Sequence, residues 1–218
     1  MPGHVLLPAR DFRREDCPVG GTWERLIAIS TLVGTRYVIQ LDADTLALDD
    51  LPEVARCVSE NRSFAIGTWD NQEVETMRER REVALKHLQG PRPHIQLLAE
   101  SRLDALDNFD AMQYVRGCSG FSGFARGSFD TEQLCSLSRQ MRAATGERWS
   151  DWGTEQFMSN ILVANSRSPV VLPHPKYCDC TRYAEGQAAF VHFIGTCRFS
   201  RGRYARAARN LITQLAMS

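Results

Sequence analysis

The stretch RYVIQLDADT, residues 36–45, constrains the fold of this chain more than any other. Residues 36–41 are too short and too β-branched for a helix, so they read as a short strand, expected to lie centrally in a sheet. That strand runs directly into Asp42 and Asp44. An unpaired charge is costly at a buried place, so acids at a strand tip need a partner. The candidates are a metal, a phosphate, or only water and a helix end.

The neighbouring segments alternate in type. A helix is expected over residues 22–33, preceded by Gly20 and Gly21, capped by Thr22 and followed by Gly34, with Leu26, Ile29, Ser30 and Val33 on one face. After the acids, Asp49 or Asp50 can cap a second helix with Pro52 in its first turn. SFAIGTW reads as a strand, and residues 71–110 as charged helix broken at GPRPH. MQYVRGCSGFSGFARG reads as a strand, a glycine-rich loop and a strand. Two helices follow, one closed by Gly146 and one capped by Asp151 or Thr154. PVVLPHPKY is a strand broken by prolines, and AAFVHFIG a last strand ending at His192. GRYARAARNLITQLAMS is an amphipathic C-terminal helix. This order predicts an α/β chain, and in open α/β sheets ligands gather beyond the carboxyl ends of strands. Asp42, Asp44 and His192 all fall at such ends.

The 218 residues suit one domain. Their formal net charge of zero argues against a strongly electrostatic nucleic-acid binder. No apolar run is long enough to span a membrane, and the N-terminus lacks a signal-peptide core. Seven cysteines, scattered except for Cys178 and Cys180, form neither a disulfide framework nor a zinc pattern, so reduced thiols in a cytoplasm are expected.

The acidic motif admits two enzymatic readings. A strand ending in Asp-x-Asp-x-Thr is similar to the nucleophilic motif of haloacid dehalogenase-type phosphatases. That chemistry also needs a lysine and a second acidic pair. Here only Lys86 and Lys176 exist, and neither precedes an apolar strand ending in acids. The other reading is a sugar transferase that uses Asp-x-Asp to hold a divalent cation on a nucleotide diphosphate, with Mn²⁺ or Mg²⁺ suited to hard oxygen ligands. Its companions are present. HFIGTCR places His192, Gly195 and Arg198 at intervals of three. TWERL puts Arg25 on the preceding helix. WGTEQF puts Glu155 and Gln156 near a helix start.

Taken together, these segments resemble glycosyltransferase family 8 and its relatives of the glycosyltransferase A fold. The shared order is Trp23-Glu24-Arg25-Leu26, the LDADT strand end, the helix from Leu51, a Ser-Gly turn, an acid–Gln pair and His-x-x-Gly-x-x-cation, over about residues 21–204. The resemblance implies an open mixed sheet flanked by helices in a single domain, residues 1–218, without the family's opening strand–helix–strand unit. It implies that Asp42, Asp44 and His192 ligate Mn²⁺ or Mg²⁺. Arg25, Ser119, Gly120, Gly195 and Arg198 would bind the donor, Glu155 and Gln156 would face the transferred sugar, and Trp152 would pack on a sugar face. The activity implied is a hexosyl transfer with retention from a UDP-linked sugar to a glycan or lipid-linked saccharide of a bacterial envelope.

Several positions depart from that pattern. Arginine stands at 198 where the family has lysine, and Glu155 where it has aspartate. The turn is Cys118-Ser119-Gly120 or Phe121-Ser122-Gly123 where it has Asn-Ser-Gly. The chain before Thr22 is too short for the unit that holds a nucleobase. A non-catalytic remnant with a partial fold therefore stands beside the enzyme as an expectation. The basic run Arg198, Arg201, Arg203, Arg206 and Arg209 reads first as a solvated face. Its second reading is a peripheral surface for an anionic acceptor at the inner membrane face. Phe121 and Phe124 read as core.

Overall fold

Glycines at 20 and 21, both at positive φ, turn the chain into α1 (Trp23–Leu32). The computed structural model describes residues 4–217, and among them the elements follow the alternation of the sequence. After α1 come β1 (Val38–Leu41), β2 (Thr45–Ala47), α2 (Pro52–Ser59), β3 (Phe64–Ile66) and β4 (Glu75–Thr76). Then follow α3 (Met77–His87), α4 (Ile95–Glu100), β5 (Gln113–Tyr114), β6 (Cys118–Phe124), α5 (Thr131–Thr145) and α6 (Thr154–Ala164). The chain ends with β7 (Val170–Leu172), β8 (Tyr177–Asp179), β9 (Phe190–His192) and α7 (Arg203–Met217).

A four-stranded mixed sheet has the order β1-β6-β3-β7, with only the β3–β7 pair parallel. A three-stranded sheet has the order β2-β9-β8, and β4 pairs with β5. The fold is thus α/β with open sheets. Strand β6 separates two cores. Phe124 enters one with Leu26, Trp149 and Phe157, while Phe121 enters the other with Phe64, Tyr177 and Phe190. Phe121 stacks on Phe190 at 3.9 Å between ring centroids. The four residues assigned to one face of α1 are all buried.

Five local expectations need correction. First, β1 lies at the edge of its sheet among the described residues, not at its centre. Its burial is also inverted, since Gln40 is buried while Ile39 and Leu41 are 42% and 56% exposed. A short apolar run cannot by itself distinguish an edge from a centre.

Second, the glycine-rich segment is not a loop. Both Ser-Gly pairs lie inside β6, a central strand, because neighbouring rings need the space that glycine leaves. Third, Thr22 is at φ 73° and caps nothing; its hydroxyl turns instead toward Glu155. Fourth, Leu51 and Gly153, not the nearby acids or Thr154, occupy the N-caps of α2 and α6. Gly153 sits at φ 110°, where a side chain would be strained, and Thr154 accepts from the Trp23 indole at 2.9 Å. Fifth, Cys180 and Cys197 form a disulfide, so the thiols are not all reduced. No helix is long and apolar enough to cross a membrane among the described residues.

Candidate metal centre and cleft

Asp42 and Asp44 occupy the link between the two larger sheets. Asp42 extends the β1 ladder by donating its N–H to the Gly120 carbonyl at 2.9 Å. Three residues later Thr45 begins β2 and faces His192 of β9. The Thr45 hydroxyl donates to the Asp42 carbonyl at 2.7 Å and fixes the turn, while Phe193 N–H donates to the Asp44 carbonyl at 2.8 Å. The result brings one ligand atom from each of Asp42, Asp44 and His192 within 4.8 Å of one another. His192 Nε2 is 3.1 Å from Asp44 and 3.4 Å from Asp42. Two carboxylates and one imidazole suit a hard or borderline divalent cation.

Beneath the imidazole lies Gly120. A Cβ there would fall on the ring atoms of His192, so only glycine leaves the histidine its place. Behind it, Cys118 Sγ sits 2.9 Å from His192 Nδ1. Burial pushes the Cys118 thiol up to about 12, which makes it a neutral buttress.

Two arginines supply the counter-charge. Arg25, from the first turn of α1, pairs with Asp42 and lies 3.7 Å from Glu155. Arg198 reaches Asp44 at 3.4 Å. The remaining basic run divides: Arg203 is fastened to the Cys180 and Tyr183 carbonyls, and Arg209 is exposed.

Glu155, at the start of α6, is 2% exposed. It accepts from the Thr22 and Ser119 hydroxyls at 3.0 and 3.2 Å and from Gln40 Nε2 at 3.2 Å. Burial pushes its carboxyl above the ordinary carboxylate range, and Arg25 with these three donors pulls it partway back. Gln156 accepts from Ser119 N–H at 3.3 Å and donates to Gln96 at 3.1 Å.

One cleft of about 120 Å³ is lined by Arg25, Asp42, Ser119, Trp152, Glu155, Gln156 and His192, whereas Asp44, Gly120 and Arg198 do not line it. Trp152 stands over it, 73% exposed. Gly195 does not line it; its neighbour Ile194 does. Neither lysine borders it, and Lys176 is held by Glu53 at 2.9 Å.

Gln40, His94, Gln96 and Cys118 are partners that the motifs did not single out. Gln40 left a trace, since a polar side chain in an apolar strand needs a buried partner. His94 and Gln96 left none: they stand at a Pro-rich break, and only tertiary packing brings His94 to the cleft and Gln96 to Gln156. No family model, curated protein or solved structure matches the chain.

Proposed function

We propose that the chain transfers a sugar from a nucleotide diphosphate donor, a UDP-sugar in the first instance, to a glycan or lipid-linked acceptor of a bacterial envelope, on a fold of the glycosyltransferase A type. The observation that carries this is convergence. Arg25, Asp42, Asp44, Ser119, Glu155, Gln156 and His192 come from separate segments and meet at one place at the sheet ends. A solvated strand-end turn would not need a histidine from 148 residues away to complete it.

Asp42, Asp44 and His192 would hold a divalent cation, which when bound takes up negative charge on a departing diphosphate. Arg25 and Arg198 flank the carboxylates and can re-aim toward phosphate oxygens, since a guanidinium binds carboxylate and phosphate in the same forked way. Glu155 is bound on several sides, so its part is to hold Arg25 and Ser119 in place. Gln156 presents its carboxamide at the cleft wall, oriented by Gln96. Trp152 offers an open aromatic face to sugar C–H groups. The cleft is smaller than the roughly 300–1,000 Å³ common for ligand pockets, which fits the reacting end of a donor better than a whole nucleotide.

The test is calorimetric titration of UDP with and without Mn²⁺, on the native chain and on Asp44→Asn, followed by transfer assays with UDP-sugars. Binding that requires Mn²⁺ and is lost in Asp44→Asn supports the transferase. One observation favours a second possibility, a non-catalytic binding protein: the arginine pairs already neutralise both carboxylates. UDP binding that ignores Mn²⁺ and survives Asp44→Asn, with no transfer, would select it.

A further inference from the structure

At the opposite end of the four-stranded sheet lies a larger cavity, about 630 Å³. Three loops build it: the one entering β3, the one leaving β6 and the one leaving α6. It shares no residue with the metal-centre cleft. The register makes the separation plain. Leu41, beside the acids, pairs with Phe121, whereas Val38 pairs with Phe124 at this end.

Its charge is unbalanced. Arg62, Arg126 and Arg167 border it against a single acid, Glu60. Glu60 is already engaged by Arg62 at 3.2 Å. Arg126 and Arg167 are exposed and pair with no carboxylate among the described residues. The frame holding them is tied down. Asn61 grips Arg126 at both main-chain ends, accepting its N–H at 2.7 Å and donating to its carbonyl at 3.2 Å. Arg62 Nε donates to the Ser168 carbonyl at 2.8 Å, joining the first loop to the third. Gly127, at φ 75°, donates to the Val33 carbonyl at 2.7 Å. Asn165 and Ser166 have partners as well. Ser128 Oγ, on the same wall, has none.

We propose that this cavity is a second binding site, for a small phosphate-bearing ligand such as a sugar phosphate or a diphosphate. Guanidinium forks match phosphate oxygens bidentately, and the backbones that carry the Arg62 and Arg126 forks are already fixed. The volume lies within the range of small-ligand sites. A polyanion is disfavoured, because the chain as a whole carries no net positive charge.

The experiment uses the full chain at constant ionic strength with EDTA, so that no divalent cation bridges ligand to the acidic triad. Pyrophosphate, inorganic phosphate and glucose 1-phosphate are titrated by calorimetry into the native chain, Arg126→Ser/Arg167→Ser and Asp42→Ala/Asp44→Ala. Both arginines are exposed, so the first variant should fold, which a thermal melt checks. The expected result is saturable one-to-one binding by the native chain and the aspartate variant, at least tenfold weaker in the arginine variant. An ester that binds tighter than inorganic phosphate assigns the rest of the cavity to the organic part; equal affinity assigns the site to the oxyanion alone. Non-saturating heats, or equal affinity in the arginine variant, would overturn the proposal. Neither outcome depends on whether the other cleft transfers sugar.

Discussion

Replacing Gly120 with alanine tests the candidate metal centre more sharply than removing one of its proposed ligands does. The added methyl would meet Cε1, Nδ1 and Nε2 of His192, and no backbone atom is among its nearest neighbours. The imidazole must therefore swing away while the strand keeps its path. His192 is 4% exposed and backed by Cys118, so the swing forces a repacking. Overpacking of this kind costs about 1–3 kcal/mol, at the low end here because a side chain can yield. The loss at the ion should be larger. Disturbing even the groups that orient a ligand costs about 10–100-fold in metal affinity, and this change displaces the ligand itself.

Gly123→Ala is the matched control. It lies in the same strand, but its Cβ would strike the Phe64 ring and the Tyr37 hydroxyl in the core. It should lose about 1–3 kcal/mol or more in a urea melt and leave Mn²⁺ affinity within a few-fold. Urea denaturation and Mn²⁺ calorimetry on both variants separate the two effects. Gly120→Ala binding Mn²⁺ as the native chain does would refute the assignment of His192.

Three further outcomes are expected. Burial raises the carboxyl of Glu100 above its ordinary range, although Arg116 and Arg80 pull against it. The neutral acid therefore favours the folded state below the ordinary carboxylate pKa of about 4.3, and that stability is lost as pH rises through the raised value. Native stability should fall relative to Glu100→Gln across that window, and pH-dependent denaturation with parallel curves would refute it. Reducing the Cys180–Cys197 disulfide, which closes a separation of 17 residues, should cost about 3 kcal/mol, read from urea melts with and without reductant; an unchanged midpoint would count against it. Phe157→Ala should cost about 3–5 kcal/mol by denaturation, since the ring is fully buried between Tyr114 and Trp149.

What the sequence made legible is what local chemistry dictates. The alternation of periodic segments gave the order of the longer elements but not the short strands β2 and β4, and the LDADT strand end and HFIG put Asp42, Asp44 and His192 at strand ends. What stayed hidden depends on distant neighbours. Strand β6 looks like a loop because its serines and glycines carry weak β-propensity, yet the rings of His192 and Phe64 require those small residues. Strand β1 looks central because its edge is defined by what pairs with it. The disulfide joins cysteines that are unremarkable in spacing. Gln96 supports Gln156 across 60 residues, a relation no local pattern carries.

The Asp42, Asp44 and His192 cluster also joins the ends of a long loop. Asp42 hangs from the four-stranded sheet through Gly120, while Thr45 and His192 belong to the three-stranded one. An ion gripped by all three would bridge the two sheets and close a circuit through most of the chain. The unfolded polymer cannot hold such a circuit cheaply, because the entropy of closure grows with its length. Each tenfold excess of ion over its dissociation constant would then add about 1.4 kcal/mol to the folded state. Amide protons of β2, β8 and β9 would report it by slowing their exchange, as two sheets able to open separately became one cooperative body.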